Sequence, residues 1–252
     1  MRATSCGITD VGMKRANNED NYLINDELNL FVVCDGMGGH VGGEFASAIA
    51  VNTVEEVLTS IEADPESLPN GQVDSVEHTR EKLRYSVRLA GKRIFEKAAA
   101  DPEFKGMGTT VVVLLLDAGN VFIGHVGDSR AYRIRGNQIE QLTEDHSLVN
   151  EKIKAGLITK EEAATHRMRN IITRSLGFQE DVEIDTQVHA IQKGDQFLLC
   201  SDGLSGLVTG QEMGEYVRAG SPQEAARKLT LLACDRGGDD NVTTVVVRID
   251  EA

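Results

Sequence analysis

LNLFVVCDGMGGH, residues 28–40, runs from a β-rich stretch into a glycine-rich turn. The apolar, β-branched and aromatic content of 28–34 predicts a short strand that stops at Asp35-Gly36. From 43 to 58 the apolar residues recur at helical spacing instead. An acid therefore stands at the mouth of a strand. The glycines after it lack a Cβ, so the backbone there approaches an ion closely and offers the Gly36 carbonyl as an oxygen ligand.

The same arrangement recurs along the chain. Asp128 follows the run 121–127, Asp202 follows 197–201, and Asp240 precedes the strand opened by Val242. A single such aspartate usually forms a turn or a cap through local hydrogen bonds. Four of them at strand ends, where side chains distant in sequence gather, suggest a cluster. Clustered carboxylates cannot all stay ionised without a counter-charge, and oxygen-only donors suit hard ions such as Mg²⁺ or Mn²⁺. Without a Walker lysine or a G-x-G-x-x-G stretch after a strand, nucleotide binding is the weaker reading, and no loop has EF-hand spacing.

Outward from this site, Leu83, Val87, Ala90, Ile94 and Ala98 lie on one face of a helix spanning 76–100. The runs 109–116 and 121–126 flank turn chemistry at 117–120 and predict a hairpin with a buried face. A second hairpin is expected across Gly136-Asn137, and further strands at 182–191, 196–200 and 241–249. Ser221-Pro222-Gln223-Glu224 supplies an N-cap, a first-turn proline and a capping-box acid for a helix running to about Cys234. The segment 62–75, with Pro65, Pro69 and Gly71, reads as a solvated loop. Residues from about 145 to 177 form a polar, partly helical insert carrying Lys152, Lys154, Lys160, Arg167, Arg169 and Arg174, and read as a flap. Successive hairpins with helices grouped in two stretches predict an α+β fold of packed antiparallel sheets covered by helices.

The 252 residues suffice for one sizeable core, and a net charge of -14 argues against nucleic acid and anionic membrane partners. No apolar run has the length of a signal-peptide core or a membrane span, which predicts a cytoplasmic protein. Cys6, Cys34, Cys200 and Cys234 are far apart and read as reduced, and Cys34 and Cys200, each inside an apolar run just before an acid, read as packing residues rather than nucleophiles. His78, His125, His146, His166 and His189 share no spacing that suggests a metal cluster and read as surface or packing residues.

Arg15-Ala16-Asn17-Asn18-Glu19-Asp20, the stretch 35–40, Gly108-Thr109-Thr110, Val126-Gly127-Asp128-Ser129-Arg130, Ser201-Asp202-Gly203 and Asp240-Asn241 occur in that order. Together they resemble the signature motifs of the PPM (type 2C) metal-dependent protein serine/threonine phosphatases, bacterial type. The resemblance spans essentially the whole chain. It implies a single catalytic domain over 1–252, built as a four-layer sandwich of two central antiparallel β-sheets flanked by α-helices, with a flap subdomain. It also implies two Mn²⁺ or Mg²⁺ ions and attack on phosphoserine or phosphothreonine by a water or hydroxide that bridges them.

Carried over by motif, Asp35 bridges the ions, Gly36 gives its carbonyl to one, and Asp202 and Asp240 hold the other. Glu19 and Asp20 complete the shell, partly through water, and Asp128 joins Asp202 at a third, weaker ion beside the flap. Arg15 clasps the substrate phosphate and His40 is the general acid to the leaving alkoxide. The implied partners are phosphorylated proteins and a Ser/Thr kinase whose substrates this chain, a monomer, would dephosphorylate. One departure is Arg167, where bacterial relatives often place a proline after the histidine. The alternatives are a phosphoesterase of nucleotides or small metabolites and a silent phosphoprotein-binding module. Degenerate ligands would mark the silent module, and here every ligand position matches.

Overall fold

A computed structural model describes residues 2–38, 42–63 and 75–251. Strand β3 (Leu30–Met37) is buried along its apolar length and pairs antiparallel with β2 (Asp20–Asn25) and β5 (Val111–Asp117). The sheet continues through β6 (Asn120–Val126) to β9 (Asp185–Ala190), with the short β4 (Gly108–Thr109) against the end of β3. A second antiparallel sheet runs in the order β1 (Arg2–Asp10), β11 (Val242–Glu251), β10 (Gln196–Cys200), β7 (Arg130–Arg135) and β8 (Gln138–Gln141).

Strand alternation builds the layers. Val111, Val113 and Leu115 face α1 (Gly42–Ala63) and α2 (Ser75–Ala100), while Val112, Leu114 and Leu116 meet Phe197, Leu199, Val245 and Val247 of the other sheet. The opposite faces of β10 and β11, through Leu198, Cys200 and Val246, pack on α6 (Gly210–Ala219) and α7 (Pro222–Asp235). This is the expected four-layer sandwich. The 111–126 hairpin is buried on both faces rather than one, because helices cover one side of its sheet and the second sheet covers the other. Its turn has positive φ at Ala118 and Gly119, as a two-residue type I′ connection requires.

Leu83, Val87, Ala90 and Ile94 are fully buried under the first sheet, with Ala98 partly buried beside them. α7 begins with the Ser221–Glu224 capping box and ends at Asp235. α1 runs five residues beyond the expected end at 58, so Glu62 belongs to its last turn, and the rest of the expected 62–75 loop up to 74, Ala63 apart, lies outside the described residues. Strands β1 and β2 and helix α6 were not foreseen. Within 145–177 lie α3 (Leu148–Lys154) and α4 (Lys160–Ala164), and the segment's two ends pair through a Ser147–Ile172 bridge. Among the described residues no helix is long and apolar enough to cross a membrane.

Candidate metal centre

The antiparallel registers bring the expected acids to one end of the sandwich. Asp35 pairs with Asp20 across β3 and β2. Asp202 opens the short helix α5 (Asp202–Ser205) directly after β10, Asp240 lies just before β11, and Asp128 sits in the turn between β6 and β7. A cavity of about 420 Å³ is lined by Arg15, Glu19, Asp35, Gly36, Asp128, Asp202 and Asp240, with Asn170 and Ile172 of the 145–177 segment at its edge. Asp20 is buried beside them, within electrostatic reach of Asp202 and Asp240.

So much buried carboxylate is costly unless compensated. Burial, then the charge of Asp20, raises the Asp35 carboxyl well above its usual range. Burial and nearby acids likewise push Asp20 and Asp128 up to about 7 and raise Asp202. Burial also raises Glu19, against the pull of Arg15. The charges of Asp20, Asp202, Asp128 and Asp240 all act on Asp35 in the same direction, so the cluster lacks an internal counter-charge. Asp20 Oδ2 accepts hydrogen bonds from Ser201 Oγ at 2.7 Å and Thr243 Oγ1 at 2.6 Å, whereas its buried Oδ1 has no partner among the described residues. These features fit a hard cation: a divalent ion would neutralise the clustered carboxylates and give the orphaned oxygen a partner.

A shell of small polar residues holds the acids in place. Thr110 Oγ1 accepts the Asp35 N–H at 3.0 Å and shares a hydrogen bond with Ser129 Oγ, while Thr109 Oγ1 donates to the Asp35 carbonyl. Asn241 Oδ1 accepts the Glu19 N–H, and its Nδ2 donates to the carbonyls of Val11 and Asn17, fixing the loop that carries Arg15. Gly36 donates its N–H to the Glu19 carbonyl, and a Cβ there would overlap that carbonyl and the one of Gly43. The glycine is thus demanded by chain packing. Ser201, Thr243, Thr110 and Asn241 had no individual role in the sequence reading. Their signal is a hydroxyl or amide set inside or beside an otherwise apolar strand.

Arg15, about half exposed, pairs its Nη2 with Asp240 Oδ2 at 2.6 Å. His40 lies outside the described residues. Burial raises the Cys34 thiol well above its ordinary range and pushes Cys200 up to about 12, which keeps both protonated and inert. Sequence spacing offers no reason to group the histidines, yet His125 and His146 lie ring to ring with centroids 4.7 Å apart, and Asp185 joins them. Strand pairing explains it: His125 of β6 stands opposite Asp185 of β9.

Residues 13–233 match the protein phosphatase 2C family. The chain is 36% identical over 248 residues to the protein phosphatase PhpP of Streptococcus pneumoniae, covering 97% of this chain and 96% of that one. The structure of the serine/threonine phosphatase Stp1 from Staphylococcus aureus aligns with a TM-score of 0.89 at 34% identity, over 100% of this chain and 96% of Stp1. The catalytic domain of the serine threonine protein phosphatase PstP in complex with 2 manganese ions aligns with a TM-score of 0.84 at 32% identity, over 99% of each chain. The chain belongs to the protein phosphatase 2C family. It is a metal-dependent protein phosphatase, a hydrolase acting on phosphoserine and phosphothreonine.

Proposed function

We propose that the strand-end carboxylates are the catalytic centre, with Asp35, the Gly36 carbonyl, Asp202, Asp240, Asp20 and Glu19 holding two Mn²⁺ or Mg²⁺ ions. Asp128 and Asp202 hold a third, weaker ion. The observation that carries this reading is the buried, under-compensated carboxylate cluster, with Asp20 Oδ1 unpartnered beside it. When bound, the ions activate water and neutralise charge on the phosphoryl oxygens. The protein's own groups then position the ester.

The Arg15 guanidinium, tethered to Asp240 at the cavity, offers its remaining N–H donors to the substrate phosphate. His40 gives a proton to the departing serine or threonine oxygen, the step that a group titrating near neutrality performs best. The 145–177 segment, whose Asn170 and Ile172 reach the cavity, serves as a flap, and its basic residues draw anionic phosphopeptides toward an otherwise acidic molecule. We assign the chain as a cytoplasmic monomer opposing a Ser/Thr kinase, whose product a serine/threonine phosphatase, as its relative Stp1 is named, would reverse.

Turnover of phosphothreonine peptides and of nucleotides, compared side by side with Mn²⁺, tests the substrate class. Preference for the peptides is expected. Equal or faster nucleotide hydrolysis would make the chain a metabolite phosphoesterase instead.

A further inference from the structure

Behind the carboxylate cavity, His146 makes contacts in three directions. Its main chain donates to the Gly127 carbonyl at 2.8 Å, and its Nδ1 accepts the Gly127 N–H at 3.0 Å. Its carbonyl accepts the Thr173 N–H at 2.8 Å, which closes the far end of the 145–177 segment onto the near end. With Nδ1 accepting, the ring proton sits on Nε2 and is donated to Asp185 Oδ2 at 3.2 Å. Arg174, next to Thr173, donates to the other oxygen of the same carboxylate at 2.8 Å. One side chain of β9 thus receives a hydrogen bond from each end of the segment.

Gly127 precedes Asp128, and its φ of +113° together with its contact on Thr110 permits no side chain there. The turn that aims Asp128 is therefore held between Thr110, which fixes Asp35, and His146, which fixes the segment.

His125, His146 and Asp185 each place a donor atom within 4.8 Å of the others, and both nitrogens of the 2% exposed His125 lack a partner among the described residues. A metal site is the obvious alternative. Two contacts oppose it: Nδ1 of His146 is already used, so a metal on Nε2 would have to displace its proton, and the Arg174 guanidinium lies 3.1 Å from that nitrogen. The arginine fills the place of a cation.

We propose that His146 is a positioning residue for the phosphatase reaction: with Asp185 and Arg174 it fastens both ends of the 145–177 segment and the Gly127–Asp128 turn into one unit. The seating of the segment and the placing of the Asp128 carboxylate are then a single equilibrium. This deepens the assignment of Asp128 to the weaker ion and rests on that reading.

Asp185→Ala is the discriminating variant, because Asp185 is 41% exposed and touches neither Gly127 nor Asp128 in any bond described above. Backbone amide hydrogen exchange on the metal-free protein should speed up about tenfold at Thr173 and also at Gly127, the value expected for loss of a buried hydrogen bond. In the same variant the Mn²⁺ concentration for half-maximal phosphopeptide turnover should rise, with kcat at saturating Mn²⁺ retained. Unchanged exchange at Gly127 would overturn the proposal.

Asp128→Ala separates the two readings. If it leaves the Mn²⁺ dependence unaltered, the ion assignment fails, while the exchange result still decides whether the unit exists. His125→Phe should leave exchange at Gly127 as it is. Loss of one Zn²⁺ or Mn²⁺ equivalent by calorimetry in both His125→Phe and Asp185→Ala would make the cluster a metal site and contradict the latch.

Discussion

Asp20 has one carboxylate oxygen held by two hydroxyls and the other left open, and that asymmetry defines its task. Ser201 and Thr243 hold Oδ2 and so orient Oδ1; on the proposed ion assignment, stripping both with Ser201→Ala and Thr243→Val should weaken Mn²⁺ binding about 10- to 100-fold. Calorimetry would read this, and circular dichroism should find the fold intact. At this scale the sequence was informative about charged residues and silent about their supports. Asp35, Asp128, Asp202 and Asp240 announce themselves as acids at strand mouths. Asn241 bonds residues more than two hundred positions away, and that pairing exists only once β1, β2 and β11 are assembled.

Elements with strong local signals were legible. The stripe of α2, the 117–120 turn and the Ser221–Glu224 box each stabilise their element through contacts a few residues apart. β1 is mixed and largely polar, an edge strand whose partner β11 lies at the other end of the chain, so nothing in its own pattern declares it. α6 also carries a capping box, Thr209–Glu212, but it is only ten residues long and buries Met213, Gly214 and Val217, a stripe of barely one turn. Two substitutions separate local from site-bearing roles. Ser221→Ala should lower stability by about 1 kcal/mol, read as a fall in Tm, with activity unchanged. Gly12→Ala should cost both, since Gly12 has φ +78° and a Cβ there would collide with the Asp240 carbonyl.

For the whole molecule, three apolar layers separate four layers of secondary structure, and polar groups buried among them shape its response to pH. Burial and the neighbouring His146 push His125 down to about 4. Because this lies below the value in the unfolded chain, the contribution of His125 is complete above about pH 6.5 and is lost as pH falls toward 4, where the unfolded chain takes up a proton the folded one refuses. The full loss is about 3 kcal/mol. Denaturant unfolding at pH 7 and pH 4.5 should show wild type losing more stability than His125→Phe over that interval. Equal losses would contradict the neutral, buried histidine. The sandwich itself was foreseeable because hairpins and helices fall in separate stretches, whereas the meeting of His125, His146 and Asp185 depends on strand register, which no local pattern encodes.

On the proposed assignment, a cation pair seated on the strand-end carboxylates drives the hydrolysis. Phosphothreonine-peptide hydrolysis by wild type and Asp35→Asn, before and after chelation and with Mn²⁺ added back, tests it most directly. Activity should vanish on chelation, return with Mn²⁺ in the wild type, and stay at least about 100-fold lower in Asp35→Asn. Hydrolysis that survives chelation, or an Asp35→Asn variant as active as the wild type, would contradict it.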